Sequence, residues 1–239
     1  MALPRRIFVT GSALRTGRAV SRHLASQGAQ LVLHANRSFD EAGSLCRLLP
    51  GDGHIAVSGD FADDGDVEKL CSYAAACDGV VLNASCYRHG YSGGDPDFDR
   101  LLEKVNHTSQ MRLLTAFVQA EHHDGGAVVA MLDQAVSGCE DNPYLASRRA
   151  LWKDMKSLAG EYGRSDLRFN AIAPGPILPP PELGETGMVK TLPTLPLRRS
   201  VALEDMAKSV EFLLSCRSVT GALLFIDCGQ SLANRTEKL

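Results

Sequence analysis

Short apolar runs alternate with longer amphipathic stretches along most of the 239-residue chain. The apolar runs predict strands at 7–10, 31–33, 55–57, 79–82, 127–132, 169–173 and 223–226. Between them, apolar residues at helical spacing predict helices at 18–27, 39–48, 65–76, 98–121, 144–162 and 204–214. Strands that alternate with helices are typical of βαβ units. We therefore predict an α/β fold with one doubly wound parallel sheet of about seven strands.

The chain shows no repeat, linker or compositional break, which predicts one domain over residues 1–239. A proline-rich segment at about 176–196 lacks periodicity, and we predict a substrate flap there that is not helical. In a parallel sheet, ligands bind beyond the carboxyl ends of the strands. Residues that directly follow predicted strands are therefore the first candidates for a functional site.

Charge and composition exclude several classes of protein. The chain has 25 Lys and Arg against 28 Asp and Glu, and 44% of its residues are hydrophobic. These values argue against a disordered segment and against a nucleic-acid-binding module. No apolar run is long enough to span a membrane, and the segment before the first strand is too short for a signal peptide, so we expect a cytoplasmic protein. Seven cysteines without CxxC or zinc spacing predict free thiols and no metal site.

The turn after the first predicted strand suits a phosphate group. It contains Gly11 and Gly17, and glycines here allow a tight turn and a close approach of the backbone to a pyrophosphate. The spacing is not the GxGxxG of many dinucleotide sites, and a plain strand-to-helix turn remains the alternative. The position after the first strand favours the nucleotide interpretation.

The end of the second predicted strand bears on the choice of cofactor. Arg37 lies about 20 residues beyond Gly17, where an NAD site normally has an acidic residue for the ribose hydroxyl. A guanidinium instead suits a 2′-phosphate, so this position favours NADP(H). The alternative is an ordinary solvated surface arginine.

Ordered landmarks across nearly the whole chain resemble the short-chain dehydrogenase/reductase family. They are the glycine turn, Asp60, Asn83-Ala84-Ser85, Asn106, Tyr144 four residues before a basic residue, Pro174-Gly175, Thr220-Gly221 and Asp227-Cys228-Gly229. Within the family the chain is most similar to pteridine reductases and to dihydromonapterin or dihydrofolate reductases. This similarity rests on Arg15 in the glycine turn, His34 to Ser38 in a His-x-x-Arg-Ser pattern, Tyr87 two residues after Asn-Ala-Ser, and Asp133 where most relatives have serine.

The resemblance implies a Rossmann-type sheet and hydride transfer from NADPH to a pterin or folate-like substrate, with Tyr144 as proton donor. Arg148 stands where most relatives have lysine. It keeps the positive charge, so we expect it to lower the pKa of Tyr144 and to hold a ribose hydroxyl, but it cannot relay a proton as an ammonium group can. Asp133 would position a proton for a ring nitrogen, although the loop from Asp133 to Tyr144 is short; a loop cap is its alternative role.

The resemblance also implies roles for the remaining candidates. Asn106 joins Asp133, Tyr144 and Arg148 as a catalytic residue, and Arg15, Ser85, Tyr87, Asp133 and Tyr144 would contact the substrate. Tyr87 would stack on the pterin, or else be surface filler. The expected cofactor-binding residues are Gly11, Arg15, Thr16, Gly17, Asn36, Arg37, Ser38, Asp60, Phe61, Asn83, Ala84, Ser85, Pro174 and Gly175.

Two other functions remain open. One is a reductase of carbonyl compounds or 3-oxoacyl thioesters, against which Asp133 in place of serine argues. The other is a weakly catalytic NADP(H)-binding protein, which Arg148 and the short loop motivate. The resemblance further implies a homotetramer, with the last helix and strand in one interface, acting on a small molecule rather than on nucleic acid or membrane.

Overall fold

A computed structural model describes residues 3–122, 125–139, 141–179 and 184–233. Seven parallel strands form one sheet in the order β3-β2-β1-β4-β5-β6-β7. The strands are β1 Arg6–Val9, β2 Gln30–Ala35, β3 Ile55–Ser58, β4 Gly79–Leu82, β5 Gly126–Met131, β6 Leu167–Pro174 and β7 Leu223–Ile226. The predicted α/β sheet is confirmed, and each predicted strand is present with its ends shifted by no more than a few residues.

Helices pack on both faces of the sheet. They are α1 Arg15–Ser26, α2 Phe39–Leu48, α3 Asp64–Ala75, α4 Pro96–Glu103, α5 Ser109–Gln119, α6 Pro143–Tyr162, α7 Leu203–Ser215 and the short α8 Gln230–Ala233. Neighbouring residues of β1 point to opposite faces: Phe8 joins the core beneath α3, α5 and α6, and Ile7 joins the core beneath α1 and α7. Because both faces are covered, β4 and β5 are fully buried, which explains their continuous apolar sequences.

The helix predicted over 98–121 is not continuous. It begins earlier, where the side chain of Asp95 accepts a hydrogen bond from the backbone N–H of Phe98 at 3.2 Å, and Pro96 occupies the first turn. A π-helical turn, Lys104–Thr108, then separates α4 from α5. This turn contains the buried Asn106, and π-helical turns are frequent at functional sites.

The proline-rich flap has no α-helix in its described part. Two short 3₁₀ helices, Gly184–Met188 and Leu192–Thr194, occupy part of the segment that the sequence left irregular, while residues 180–183 lie outside the described residues. Proline removes a backbone donor and so disfavours longer helices.

Two further observations concern the whole described chain. All seven cysteines are free thiols, as their spacing predicts. Among the described residues, no helix combines the length and the apolar character that crossing a membrane would require.

Candidate active site

A cleft of about 660 Å³ opens at the carboxyl edge of the sheet. It lies where the strand order reverses between β1 and β4, which is the position at which doubly wound sheets bind ligands. The segments that follow β1, β2, β3 and β4 form its walls, and Leu101 and Val105 close one side. The structure thus places a cleft beside the strand ends, where the sequence analysis expects a ligand.

The glycine turn after β1 is shaped by its own packing. Gly11 has φ +61°, a backbone conformation that favours glycine. A Cβ atom on Gly17 would lie only 2.1 Å from the carbonyl oxygen of Gly11 and 2.7 Å from Nδ2 of Asn83. Gly17 is therefore required by close contacts within the protein. Gly11, Arg15, Thr16 and Gly17 all line the cleft.

Asn83 joins the end of β4 to the end of β1. Its side-chain N–H groups donate to the carbonyl oxygens of Thr10 at 3.1 Å and of Gly11 at 2.9 Å. In return, the hydroxyl of Thr10 accepts from the backbone N–H groups of Asn83 and Ala84, each at 2.9 Å. These hydrogen bonds fix both sides of the switch point, and Ala84 and Ser85 continue along the cleft wall.

His34 braces the same turn from β2. Its Nδ1 accepts from the backbone N–H of Gly11 at 3.2 Å, so Nε2 carries the proton and donates to the carbonyl of Gly59 at 3.0 Å. Burial lowers the pKa of His34, which keeps the ring neutral. In the sequence, His34 stands out only as part of a motif. A polar residue at the end of a buried strand was the signal that could have placed it at the site.

The open end of the cleft carries the candidate cofactor-specificity residues. Asn36 and Arg37 are exposed and line the cleft with Asp60 and Phe61, whereas Ser38 precedes α2 and is not among the described lining residues. The side chain of Asp60 accepts from the backbone N–H of Ala62 at 2.8 Å. The positive charge of Arg37 stands at the rim of the cleft, beyond the end of β2.

Arg15 connects the glycine turn to the flap. Its backbone has φ +50°, and its guanidinium donates to the carbonyl oxygens of Leu178 at 3.3 Å and Pro179 at 3.0 Å. The residue predicted to contact both cofactor and substrate therefore also ties down the start of the flap.

Tyr144 lies in the first turn of α6, which begins at the cap residue Asn142 and at Pro143. The ring of Tyr87 meets the ring of Tyr144 edge to face, with centroids 5.0 Å apart. Ser85, which lines the cleft, lies close enough to Tyr144 to favour its phenolate. Burial raises the pKa of Tyr144 to about 12, and the carboxylate of Asp133 adds to this effect, while Arg148 and Ser85 oppose it.

Arg148 is fully buried and is not among the described residues that line the cleft. Its guanidinium donates to the carbonyl oxygen of Met131, at the end of β5. Its Nε and Nη1 have no hydrogen-bond partner within the described structure, and burial lowers its pKa. The charge of Arg148 does lower the pKa of Tyr144, as expected from the sequence. Burial has the larger effect, so the net pKa of Tyr144 is nevertheless raised.

Asp133 caps the short loop that follows β5. Its Oδ1 accepts from the backbone N–H of Ala135 at 2.8 Å, at the start of the 3₁₀ turn Gln134–Ser137. Arg149 holds this loop against α6 by donating to the carbonyl oxygens of Val136 at 3.1 Å, of Ala135 at 3.3 Å and of Gly138 at 2.9 Å. Asp133 thus caps the loop, and its negative charge also raises the pKa of Tyr144. The role of Arg149 was not predicted from the sequence.

Asn106 links the loop after β4 to α6. Its Oδ1 accepts from the backbone N–H of Cys86 at 2.7 Å, and its Nδ2 donates to the Cys86 carbonyl at 2.9 Å. The same Nδ2 donates to Oγ of Ser147 at 3.2 Å, and that hydroxyl donates to the carbonyl of Tyr144 at 2.7 Å. One buried amide therefore links the segment after β4, which lines the cleft, to the first turn of α6, which carries Tyr144.

Pro174 and Gly175 lie at the end of β6, outside the described cleft lining. The backbone N–H of Gly175 donates to the carbonyl of Ile226 at 3.0 Å. A Cβ atom on Gly175 would lie 2.7 Å from Cα of Asp227, so this glycine is required by contact with the segment after β7. Its predicted contact with a cofactor remains a prediction.

Known proteins resemble the chain over almost its full length. A family model described as enoyl-(acyl carrier protein) reductase matches residues 15–231. Carbonyl reductase family member 4 of Danio rerio is 30% identical, covering 96% of this chain and 99% of that protein. L-rhamnose 1-dehydrogenase (NAD(P)(+)) of Azotobacter vinelandii is also 30% identical, covering 96% and 97%.

Among solved structures, the alternative dihydrofolate reductase FolM of Brucella canis, complexed with NADP, superposes with a TM-score of 0.88. It is 30% identical, and the match covers 98% of this chain and 96% of that one. The family model, the full-length relatives and the ordered landmarks agree. The chain therefore belongs to the short-chain dehydrogenase/reductase family and is an oxidoreductase of that family.

Proposed function

We propose that the protein is an NADPH-dependent reductase that transfers hydride to a pterin or folate-like substrate. One observation carries this proposal: Tyr87 and Tyr144 form an aromatic wall beside a carboxylate, Asp133, that acts on Tyr144. A flat heterocycle stacks well on aromatic rings, and its ring N–H groups are matched by a carboxylate acceptor. The FolM structure adds support because its overall fold is the same at 30% identity.

The residues of the cleft fit NADP(H). The glycine turn lines the cleft, and the cation of Arg37 stands at its rim. These features suit a pyrophosphate and a 2′-phosphate respectively. The unpaired Nε and Nη1 of Arg148 are buried outside the described lining of the cleft, so a bond from Arg148 to a ribose hydroxyl is not part of this fit. When bound, NADPH supplies the hydride.

The other predicted cofactor residues divide by position. Arg15 and Thr16 belong with the glycine turn, Asn36 and Ser38 with Arg37, and Asp60 and Phe61 with the adenine end. We assign the remaining cofactor contacts to Asn83, Ala84, Ser85, Pro174 and Gly175.

Tyr144 provides the proton for the reduced ring nitrogen. Because its pKa is about 12, the phenol stays protonated near neutral pH and is ready to donate. Arg148 then stabilises the phenolate that forms, since its own charge persists across this pH range. Asp133 orients the substrate ring. Asn106 fixes Tyr144 relative to the segment after β4, through its hydrogen bonds to Ser147 and Cys86.

The test is NADPH oxidation by the purified protein with 7,8-dihydrobiopterin, dihydromonapterin and dihydrofolate, beside acetoacetyl thioesters as carbonyl substrates. We expect turnover with at least one pterin or folate and little with thioesters. A preparation that binds NADPH but reduces only thioesters would overturn the proposal in favour of a carbonyl reductase.

The second candidate, a cofactor-binding protein with little turnover, rests on the buried, partly unpaired Arg148. The variant Arg148→Lys distinguishes it. We expect the rate to fall, because the guanidinium fills its site and bonds the Met131 carbonyl. A rise in the rate of ~100-fold would show that arginine at position 148 slows catalysis in the natural protein.

A further inference from the structure

The segment 131–138, from the end of β5 to the loop before α6, is attached to α6 at two points. Arg148 of α6 donates to the carbonyl oxygen of Met131, the first residue of the segment. Arg149, the next residue of α6, donates to three carbonyl oxygens at distances of 2.9 to 3.3 Å, those of Ala135, Val136 and Gly138. Two consecutive guanidinium groups therefore hold this segment against the helix that carries Tyr144.

Asp133 lies between these two attachments. Its Oδ1 accepts from the backbone N–H of Ala135 at 2.8 Å, and its carbonyl oxygen accepts from the backbone N–H of Val136 at 3.2 Å. Both donors belong to the 3₁₀ turn Gln134–Ser137. Arg149 bonds the carbonyl oxygens of the same two residues. The turn thus connects Asp133 to Arg149, and the guanidinium sets where the carboxylate lies relative to α6.

The side chain of Arg149 suits this attachment. A guanidinium offers five N–H donors in a rigid planar fork and stays charged near neutral pH. Its Nε bonds Val136, while Nη2 bonds both Ala135 and Gly138, so one side chain joins three points of the segment. Hydrogen bonds from a charged donor are stronger than neutral ones, and Arg149 is only partly exposed. These acceptors are backbone groups, so Arg149 acts on the site through the segment that it holds.

We propose that Arg149 is a positioning residue for the reduction, which fixes Asp133 where that carboxylate orients the substrate ring beside Tyr144. This inference rests on the proposed function. Because Tyr144 belongs to α6 and Asp133 is attached to α6, the two groups keep their spacing before the substrate arrives. Groups placed in advance need no rearrangement during the reaction, and a misplacement of about 1 Å costs about 100-fold in rate.

The variant Arg149→Ala keeps Asp133 but releases the turn. We expect kcat with a pterin or folate substrate to fall ~10–100-fold, the cost of a misplaced group. The dissociation constant for NADPH should change less than about twofold, because the glycine turn and the rim are distant in sequence and share no bond with Arg149. Arg149→Lys keeps the charge but not the fork, and should recover part of the rate. Lys153→Ala, at an exposed cation one turn further along α6, is the matched control and should leave kcat unchanged.

A double-mutant cycle separates positioning of Asp133 from a general loss of stability. Asp133→Asn keeps an oxygen for the N–H of Ala135 but removes the carboxylate. In that background Arg149→Ala should change kcat less than about threefold, because the group that it positions is gone. A purely structural role would lower kcat by the same factor in both backgrounds. Equal factors, or an unchanged kcat in Arg149→Ala alone, would overturn the proposal.

A measurement without substrate keeps this test separate from that of the overall function. Amide hydrogen exchange across residues 131–138, followed by mass spectrometry, should be faster in Arg149→Ala and unchanged in Lys153→Ala, since local opening sets the exchange rate. Exchange that Arg149→Ala leaves unaltered overturns the role of Arg149 by itself. Faster exchange in Arg149→Ala, in a protein whose wild type reduces no pterin or folate, overturns the proposed function and with it the positioning role.

Discussion

The turn between β1 and β4 and the region around Tyr144 and Arg148 differ in how completely their polar groups are paired. At the β1–β4 turn, the predicted nucleotide end of the site, Thr10, His34 and Asn83 join the ends of their strands by hydrogen bonds. In the Tyr144–Arg148 region, the inner end of the site and outside the described lining of the cleft, Arg148 keeps two buried nitrogens without partners among the described residues, and the pKa of Tyr144 is raised to about 12. Unpaired buried donors cost stability, so the rest of the fold must hold them in place. The polar groups of the first end are paired within the protein, whereas the second end retains buried donors without acceptors among the described residues.

The largest expected effect tests whether the two ends act separately. Tyr144→Phe removes the proton donor and should lower kcat about 1000-fold, within the usual range for a general acid. The dissociation constant for NADPH should stay within about twofold, because the paired nucleotide end is untouched. Steady-state kinetics and a fluorescence titration with NADPH measure the two quantities. Tyr162→Phe, at the far end of α6, is the control.

A large loss of NADPH affinity in Tyr144→Phe would contradict this division. It would show that the inner end also supports nucleotide binding.

A smaller effect is expected at the rim. Arg37→Ala should weaken NADPH binding ~30-fold, about 2 kcal/mol, because a charge-assisted hydrogen bond to the 2′-phosphate is lost. NADH binding should change less than about twofold, and kcat at saturating NADPH should hold. Arg47→Ala, at another exposed arginine, on α2, is the control. Equal weakening for both nucleotides would remove the phosphate role of Arg37.

The smallest effect concerns the π-helical turn that joins the two ends. His107 in this turn bonds Glu103 at 2.6 Å and Asp154 of α6 at 2.7 Å. Burial alone would lower the pKa of His107, but the hydrogen bonds to Asp154 and Glu103 outweigh it and raise the pKa above its ordinary 6.5. The folded protein therefore binds this proton more tightly than the unfolded chain.

The stabilisation from His107 is complete below pH 6.5 and is lost as the pH rises through the higher folded pKa. His107→Gln should lower the free energy of unfolding by ~0.5–1 kcal/mol below pH 6.5, and by less at higher pH. The effect is small because the ion pairs of His107 with Glu103 and Asp154 are partly exposed. Urea unfolding at several pH values measures the difference, with exposed His89→Gln as control. A difference that grows with pH would refute the sign.

The sequence predicted well what depends on strand ends and glycine turns. Arg37 and Asp60 follow apolar strands, so their place at the carboxyl edge follows from the parallel sheet alone. The position of Gly17 in the turn after β1 was predicted correctly. The reason for a glycine there was incomplete, because its contact with the Gly11 carbonyl depends on the folded turn.

The sequence could not predict what depends on side-chain direction across long separations. Nothing in the spacing of Tyr144 and Arg148 reveals that the guanidinium turns towards the end of β5, or that burial outweighs its charge at Tyr144. Arg149 was missed because its three acceptors are backbone carbonyls, which leave no residue pattern. The π-helical turn was missed because its sequence keeps helical periodicity.

The bond between Asn83 and Thr10 joins residues 73 positions apart. Loop closure over this distance costs entropy before the contact repays it, so such a contact forms late in folding. A nascent chain still short of β4 has the glycine turn but lacks the opposite wall. The two walls of the cleft therefore come together only once β4 has paired with β1, so a partly synthesised chain has no complete cleft.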